Sequence, residues 1–300
     1  MMSNFNIEIV EHKLNLKLYG YTIIPNVYSK EEIDEYWNEF NKWRENVPEL
    51  DELHLKIDYN GIFKHHQVGH QRFAWLVRTN PKILNIFREL WNTDELVTSF
   101  DGCCYYPYKY KGKDHFWIHT DQSSRNKDLS CYQSFLSLTN NSERTFVVYK
   151  YSHLMHQNYF DIMNIDEPRD WNILNKEYVD KISDLKHILT VKAGDLVIWD
   201  SRTFHQNTCG DENCIEERLV QYLCYLPKYN EKNNEKERKQ RKNYYNKLRT
   251  TSHWPYPMNV VPCQPNTYNY YNEDKKIFID YETLCKPELS DLEEEINKLL

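Results

Sequence analysis

The sequence predicts a β-rich core, a sandwich or a barrel, held between helix-rich ends in one domain. Three observations carry this. From about residue 97 onward, short β-rich runs follow one another: SFDGCCYYPY, YQSFLSLT, TFVVYKY, HILTVK, DLVIWD and RLVQYLCYL. Short strands separated by turns and longer loops are what a sandwich or barrel needs. The segments before and after them instead show helical spacing and capping signals.

Taken in order, residues 13–28 (KLNLKLYGYTIIPNVY) read as an apolar strand closed by Pro25 and Asn26. Ser29 with Glu32 three residues on forms a capping-box pattern. The helix it opens places Ile33, Tyr36, Trp37, Phe40 and Trp43 on one face, a packing stripe. Residues 48–72 are polar and irregular and hold His54, His65, His66 and His70. A helix over 80–92 turns Ile83, Ile86, Phe87 and Leu90 inward. Residues 158–184 interrupt the strands with polar, helix-compatible sequence and read as an insertion. After Pro227 the strands stop. Residues 228–249 hold nine Lys/Arg and three Glu and read as a solvated helix. A last helix is expected over 291–300, with Ser290 and Glu293 as its capping box. The expected division is a β-core domain with N-terminal helices over 1–227, and a helical extension over 228–300 packed on the same domain.

Composition narrows the function classes. The seven glycines are never adjacent and form no G-x-G-x-x-G, no P-loop and no G-x-S-x-G. A dinucleotide fold, a P-loop and a nucleophile elbow are thereby disfavoured. A net charge of −7 gives no global pull toward nucleic acid or an anionic membrane. The first residues, MMSNFNIEIVEHK, carry no apolar signal region, and no run of 18 apolar residues exists. Eight scattered cysteines without a C-x-x-C suggest a reducing, cytoplasmic compartment. A small-molecule substrate is expected, and the sequence sets no oligomeric state.

His119-Thr120-Asp121 is an H-x-D triplet. Residues i and i+2 of a strand point to one face, so imidazole and carboxylate can reach one metal. A distant His completes a two-His, one-carboxylate set, which leaves coordination positions open for a chelating 2-oxo acid and O2. The triplet alone weighs little: 12 His and 45 acidic residues in 300 produce about 1.8 such triplets by chance. Its context carries the weight. In KAGDLVIWDSRTFHQNTCGDENCIEERLVQYLCYLP, Gly194-Asp195 makes a turn, Leu196 to Trp199 form a buried strand, and His205 follows. Arg218 begins the next strand, where a guanidinium can pair two-pronged with a carboxylate.

From about residue 14 to 227 the chain resembles the phytanoyl-CoA dioxygenase family of iron(II)/2-oxoglutarate oxygenases. The resemblance lies in LKLYGYTIIPNVYSKEEIDEYW and PKILNIFRELWNTDELVTSFDG, then in WIHTDQ, AGDLVIWDSRTFHQN and RLVQYLCYLP in that order. It implies a mainly β fold with flanking helices around a cupin-like double-stranded β-helix, or jelly roll. It implies Fe(2+) held by His119, Asp121 and His205, with 2-oxoglutarate paired to Arg218. Asn207 matches a position where the family places a polar group near the cofactor. Tyr106 and Gln133, from strand placement, are further candidates to touch it. The implied reaction is hydroxylation of a small-molecule or lipid-like substrate with O2, releasing succinate and CO2. The family's Pro- and Gly-containing stretch before a Ser-His pair is replaced by RTFVVYKYSHLMH, which keeps only Ser152-His153.

Other readings stay open: a zinc hydrolase or isomerase on the same fold, or a binding module without catalysis. His66 and His70 lie four apart but lack the glutamate of H-E-x-x-H. His205, Cys209 and Cys214 offer a loosely spaced zinc set. His153 and His156 either line the substrate region or are buried structural histidines. Trp117, Tyr132 and Tyr151 suggest an apolar wall.

Overall fold

A computed structural model describes residues 2–47, 50, 54–55, 60–263 and 284–300. In chain order its helices are α1 (Met2–Tyr19), α2 (Lys30–Asn46), α3 (Arg72–Arg78), α4 (Pro81–Trp91), α5 (Ser152–Met163), α6 (Lys176–Lys181), α7 (Glu235–Asn246) and α8 (Glu293–Leu299). Its strands are β1 (Tyr21–Ile24), β2 (Ile62–Phe63), β3 (Leu96–Thr98), β4 (Cys103–Tyr106), β5 (His119–Thr120), β6 (Tyr132–Ser137), β7 (Phe146–Tyr149), β8 (Asn172–Ile173), β9 (Lys186–Ile188), β10 (Leu196–Asp200), β11 (His205–Asn207) and β12 (Arg218–Pro227). The chain falls into two compact units, Met1–Asn26 with Pro107–Arg218, and Val27–Tyr106 with Leu219–Leu300.

The first unit holds two antiparallel layers in the double-stranded β-helix arrangement: β1-β10-β6, and β8-β5-β11-β7-β9. Between the layers Phe135 on β6 meets Phe146 on β7 at 5.4 Å, and Trp199 on β10 meets Phe146 at 4.7 Å. The other face of the five-stranded layer sends Ile118, Val147 and Phe204 into a cluster with Tyr159, Phe160 and Val179 from α5 and α6. The two-residue period of a strand therefore aims Ile118 and Phe204 at the helices, and their neighbours His119 and His205 at the interior. The segment read as an insertion supplies β8, α6 and the end of α5.

One expectation fails here. Residues 13–19 are helix, not strand: Leu14, Leu16 and Leu18 alternate, yet only Leu16 is buried while Leu14 and Leu18 are exposed. Ile9 and Leu16, seven apart, lie on one helical face and outweigh the alternation. Gly20 ends the helix at φ +84°, its N–H bonded to the Leu16 carbonyl at 3.0 Å.

In the second unit, Ser29 and Glu32 form the expected capping box on α2, and Asn80 caps α4. Of the α2 stripe, Tyr36, Phe40 and Trp43 are buried, with Phe40 against Phe73 at 5.4 Å. Strand β12 pairs with β3, and β2 with β4. Residues 235–246 are helical as expected. The capping box expected at Ser290 and Glu293 does not form. Residues 290–292 take a 3₁₀ turn, and α8 starts after Leu292 without a side-chain cap. Instead Arg72 pins the turn through Asp291 at 2.6 Å, while Ile296 packs with Trp75, Phe100 and Met258. No described helix is long and apolar enough to cross a membrane.

Candidate metal centre

His119 on β5 and His205 on β11 are direct register partners across an antiparallel pair. Such partners stand about 4.5–5.5 Å apart at Cβ, close enough to share an ion. Their rings lie 4.3 Å apart. Asp121 follows the end of β5, its N–H bonded to the Ser201 carbonyl at 3.2 Å. Its Oδ2 is 3.1 Å from His205 Nε2 and 3.8 Å from His119 Nε2. Among the described residues these three form the one His/Cys/Asp/Glu group able to hold a metal ion, with ligand atoms all within 4.8 Å and every residue buried.

Both rings are held the same way. His119 Nδ1 donates to the Trp117 carbonyl at 2.9 Å, and His205 Nδ1 donates to the Thr203 carbonyl at 2.8 Å. A carbonyl only accepts, so each Nδ1 carries a proton, which leaves Nε2, on the Asp121 side of each ring, as the atom able to ligate an ion. Trp117 stacks on His119 at 4.9 Å and donates its indole N–H to the Asn207 carbonyl, tying β5 to β11 once more. Gln133 on β6 donates its amide to Asp121 Oδ2 at 3.0 Å, and its buried Oε1 has no hydrogen-bond partner.

Arg218 is fully buried, 5.5 Å from the Phe135 ring centroid, and donates Nη2 to Asn207 Oδ1 at 3.0 Å. Asn207 sits two residues beyond His205 on β11, hence on the same face. The expected residues His119, Asp121, His205, Asn207, Arg218 and Gln133 thus lie in one unit and share direct or one-step contacts. Tyr106 belongs to the other unit, where its ring packs on Gly61.

His66, His70, His153 and His156 are buried and lie outside the ligand group. His156 on α5 bonds the Gln122 carbonyl at 3.1 Å, and burial pushes its pKa down to about 4. His153 bonds the Lys17 carbonyl, with its pKa also lowered by burial. Burial pushes His66 and His70 to about 3, and a 3₁₀ turn, not an α-helix, separates them. Cys209 and Cys214 are buried thiols. Of the suggested apolar wall, Trp117 stacks on a metal-site ring, while Tyr151 is exposed beside Tyr19.

Sequence reasoning missed two features. Gln122 links Ser130 N–H, Ser201 Oγ and the Asn126 and Asp128 carbonyls, which shapes the loop after Asp121. Trp171 sits 5.7 Å from the His119 ring. Nothing in a single sequence marks either one: Gln122 works through backbone groups four to eight residues on together with Ser201, 79 residues away, and Trp171 through a ring on another strand.

The family model described as phytanoyl-CoA dioxygenase (PhyH) matches residues 16–208. Ava biosynthesis cluster protein O of Aspergillus versicolor is 30% identical over 232 residues, 70% of this chain and 75% of that protein. The epimerase SnoN, solved with Fe3+, alpha ketoglutarate and nogalamycin RO, has a similar fold. Its TM-score is 0.51 at 17% identity over 74% of this chain and 84% of SnoN. HygX from Streptomyces hygroscopicus, solved with nickel and 2-oxoglutarate bound, gives 0.51 at 13% identity over 73% of this chain and 87% of HygX.

Proposed function

Because the chain belongs to the phytanoyl-CoA dioxygenase family, we propose that it is an Fe(II)- and 2-oxoglutarate-dependent dioxygenase that hydroxylates a small molecule. The observation that carries the reading is the buried His119–Asp121–His205 set, with both Nδ1 atoms tied to backbone carbonyls and three ligand atoms converging. This donor set suits ferrous iron: two neutral imidazoles and one carboxylate fill one face and leave the rest of the coordination sphere to ligands. SnoN is solved with Fe3+ and alpha ketoglutarate and HygX with nickel and 2-oxoglutarate, which supports a metal ion with 2-oxoglutarate here.

When bound, the iron and 2-oxoglutarate supply the oxidising chemistry: O2 places one oxygen in succinate, formed with loss of CO2, and the other on a substrate carbon. The chain's own residues do the rest. The Trp117 and Thr203 carbonyls keep both imidazoles in the Nε2-ligating tautomer. Gln133 orients the Asp121 carboxylate. The Arg218 guanidinium, positioned by Asn207 and Phe135, takes the far carboxylate of 2-oxoglutarate, since a carboxylate buried without a cation is costly. The packed aromatic interior of Phe135, Phe146 and Trp199 excludes water from one side.

The test is iron- and O2-dependent conversion of 2-oxoglutarate to succinate by the purified chain, with His205→Ala as control. Turnover that needs iron and disappears in the variant supports the reading. Tight zinc binding with no succinate formed under any loading sinks it in favour of a hydrolase or a binding module. A substrate product that gains an oxygen atom identifies hydroxylation; an unchanged mass with inverted stereochemistry identifies the epimerase outcome known for SnoN.

A further inference from the structure

Beyond the metal ligands, one ring is placed unlike the others. Trp117, Phe146 and Trp199 surround the two imidazoles and are buried. Trp171 also reaches His119, at 5.7 Å and 45°, yet 53% of it is exposed. It directly precedes β8, whose Ile173 is the register partner of His119.

Its position is held by many contacts. The Ser123 N–H donates to Asp170 Oδ1 at 3.0 Å, and the Ser123 and Ser124 hydroxyls donate to the Glu167 carbonyl. The Glu167 N–H returns a bond to Ser124 Oγ at 2.8 Å. Arg125 holds Asp166 with two bonds, at 2.8 and 2.9 Å. The loop bearing Trp171 is thus stitched to Ser123, Ser124 and Arg125, just after Asp121. The Trp171 backbone lies at φ +154°, a region bulky side chains rarely adopt and that persists only where surroundings fix it. A large apolar ring left half in water, on a strained and pinned backbone beside a metal ligand, is a surface prepared for another molecule. Of the carboxylates nearby, Asp166 and Glu167 are paired with Arg125 and Arg169, and Asp170 accepts from the Ser123 N–H.

We propose that Trp171 is the substrate-facing wall of the metal site and selects substrates with a flat, uncharged aromatic face. This rests on the metal assignment of the preceding section. An indole ring prefers offset or tilted stacking on another ring, which brings a planar substrate alongside His119 and the coordination positions beyond it.

The experiment is a relaxation measurement under nitrogen on the protein loaded with Mn(II) and 2-oxoglutarate. Indole is the planar probe and cyclohexanol the non-planar one. Retention of Mn(II) is read first from water-proton relaxation. The indole protons should relax faster in the presence of the loaded wild type, and cyclohexanol much less. Trp171→Ala should reduce the indole effect about tenfold while keeping Mn(II), and Trp171→Phe should keep both. An indole effect unchanged in Trp171→Ala, or a cyclohexanol effect equal to that of indole, overturns the proposal. Loss of Mn(II) in Trp171→Ala also overturns it, because Trp171 would then be only a cover for His119. A wild-type chain that retains no Mn(II) is the distinct result that removes the metal assignment and this inference together.

Discussion

Replacing Arg218 by alanine should separate 2-oxoglutarate binding from metal binding if the guanidinium takes the proposed role. The guanidinium is fully buried, with Phe135 5.5 Å from its centre and Asn207 accepting one of its bonds at 3.0 Å. A 2-oxoglutarate carboxylate paired there exchanges water for this one cation. Removing one partner of a buried pair costs about 3–5 kcal/mol, since the other charge stays buried and unanswered. At about 1.4 kcal/mol per factor of ten, 2-oxoglutarate should bind roughly two hundred to several thousand times more weakly. Lysine keeps the charge but loses the planar fork, and should cost about 1–2 kcal/mol, a factor of about 5–30. Iron affinity should change little, because Arg218 lies outside the ligand group and donates to Asn207. The assay is anaerobic titration of the visible charge-transfer band with 2-oxoglutarate, alongside iron titration of the same variants. A 2-oxoglutarate Kd in a folded Arg218→Ala protein within about threefold of wild type would refute the reasoning.

Three further outcomes follow from the packing. Gly20→Ala should destabilise the fold by about 2–4 kcal/mol in a denaturant melt, since φ is +84° and the new Cβ would meet His153 Nδ1 at 2.6 Å and Thr203 Oγ1 at 2.7 Å. It should also weaken iron binding, because the Thr203 carbonyl holds His205. Arg144→Met should cost about 3–5 kcal/mol in urea unfolding: Arg144 is buried and donates to the carbonyls of Cys209 at 2.9 Å, Tyr110 at 2.8 Å and Glu216, leaving acceptors that methionine cannot satisfy. Acid should destabilise the metal-free protein. Burial lowers His66 and His70 to about 3 and His156 to about 4, below their unfolded value, so the unfolded chain binds the protons first. Their contribution is complete above about pH 6.5 and is lost as pH falls from there toward 4 for His156 and toward 3 for His66 and His70, at up to about 1.4 kcal/mol per pH unit for each histidine. His70→Gln should flatten that slope in urea midpoints measured from pH 7 to 4.5; an unchanged slope contradicts the assignment.

Much of this was legible in the sequence where a local rule met no competitor. Ser29 with Glu32, and Asn80 before Pro81, start helices because their side chains satisfy N–H groups a helix cannot satisfy itself. The strand period placed His119 opposite Ile118 and His205 opposite Phe204, which brings the two imidazoles into one interior once β5 and β11 pair. Where two rules compete, the local pattern yields to burial or to a distant partner. Leu14, Leu16 and Leu18 alternate like a strand, but burial of Ile9 and Leu16 keeps the segment helical up to Gly20. At residues 290–293 the capping pattern is present, yet Arg72, more than 200 residues away in sequence, binds Asp291 and fixes a 3₁₀ turn instead. The carbonyls that orient the imidazoles, the Gln122 hub and Trp171 beside His119 depend on backbone positions and distant partners, which residue type does not encode.

Crystals grown anaerobically with Fe(II) and 2-oxoglutarate, measured on both sides of the iron absorption edge, test the central claim most directly. One anomalous peak bonded to Nε2 of His119, Nε2 of His205 and a carboxylate oxygen of Asp121, with both Nδ1 atoms still on their backbone carbonyls, is the expected result. A peak elsewhere in the chain, or an imidazole of this set turned away from the ion, would contradict it.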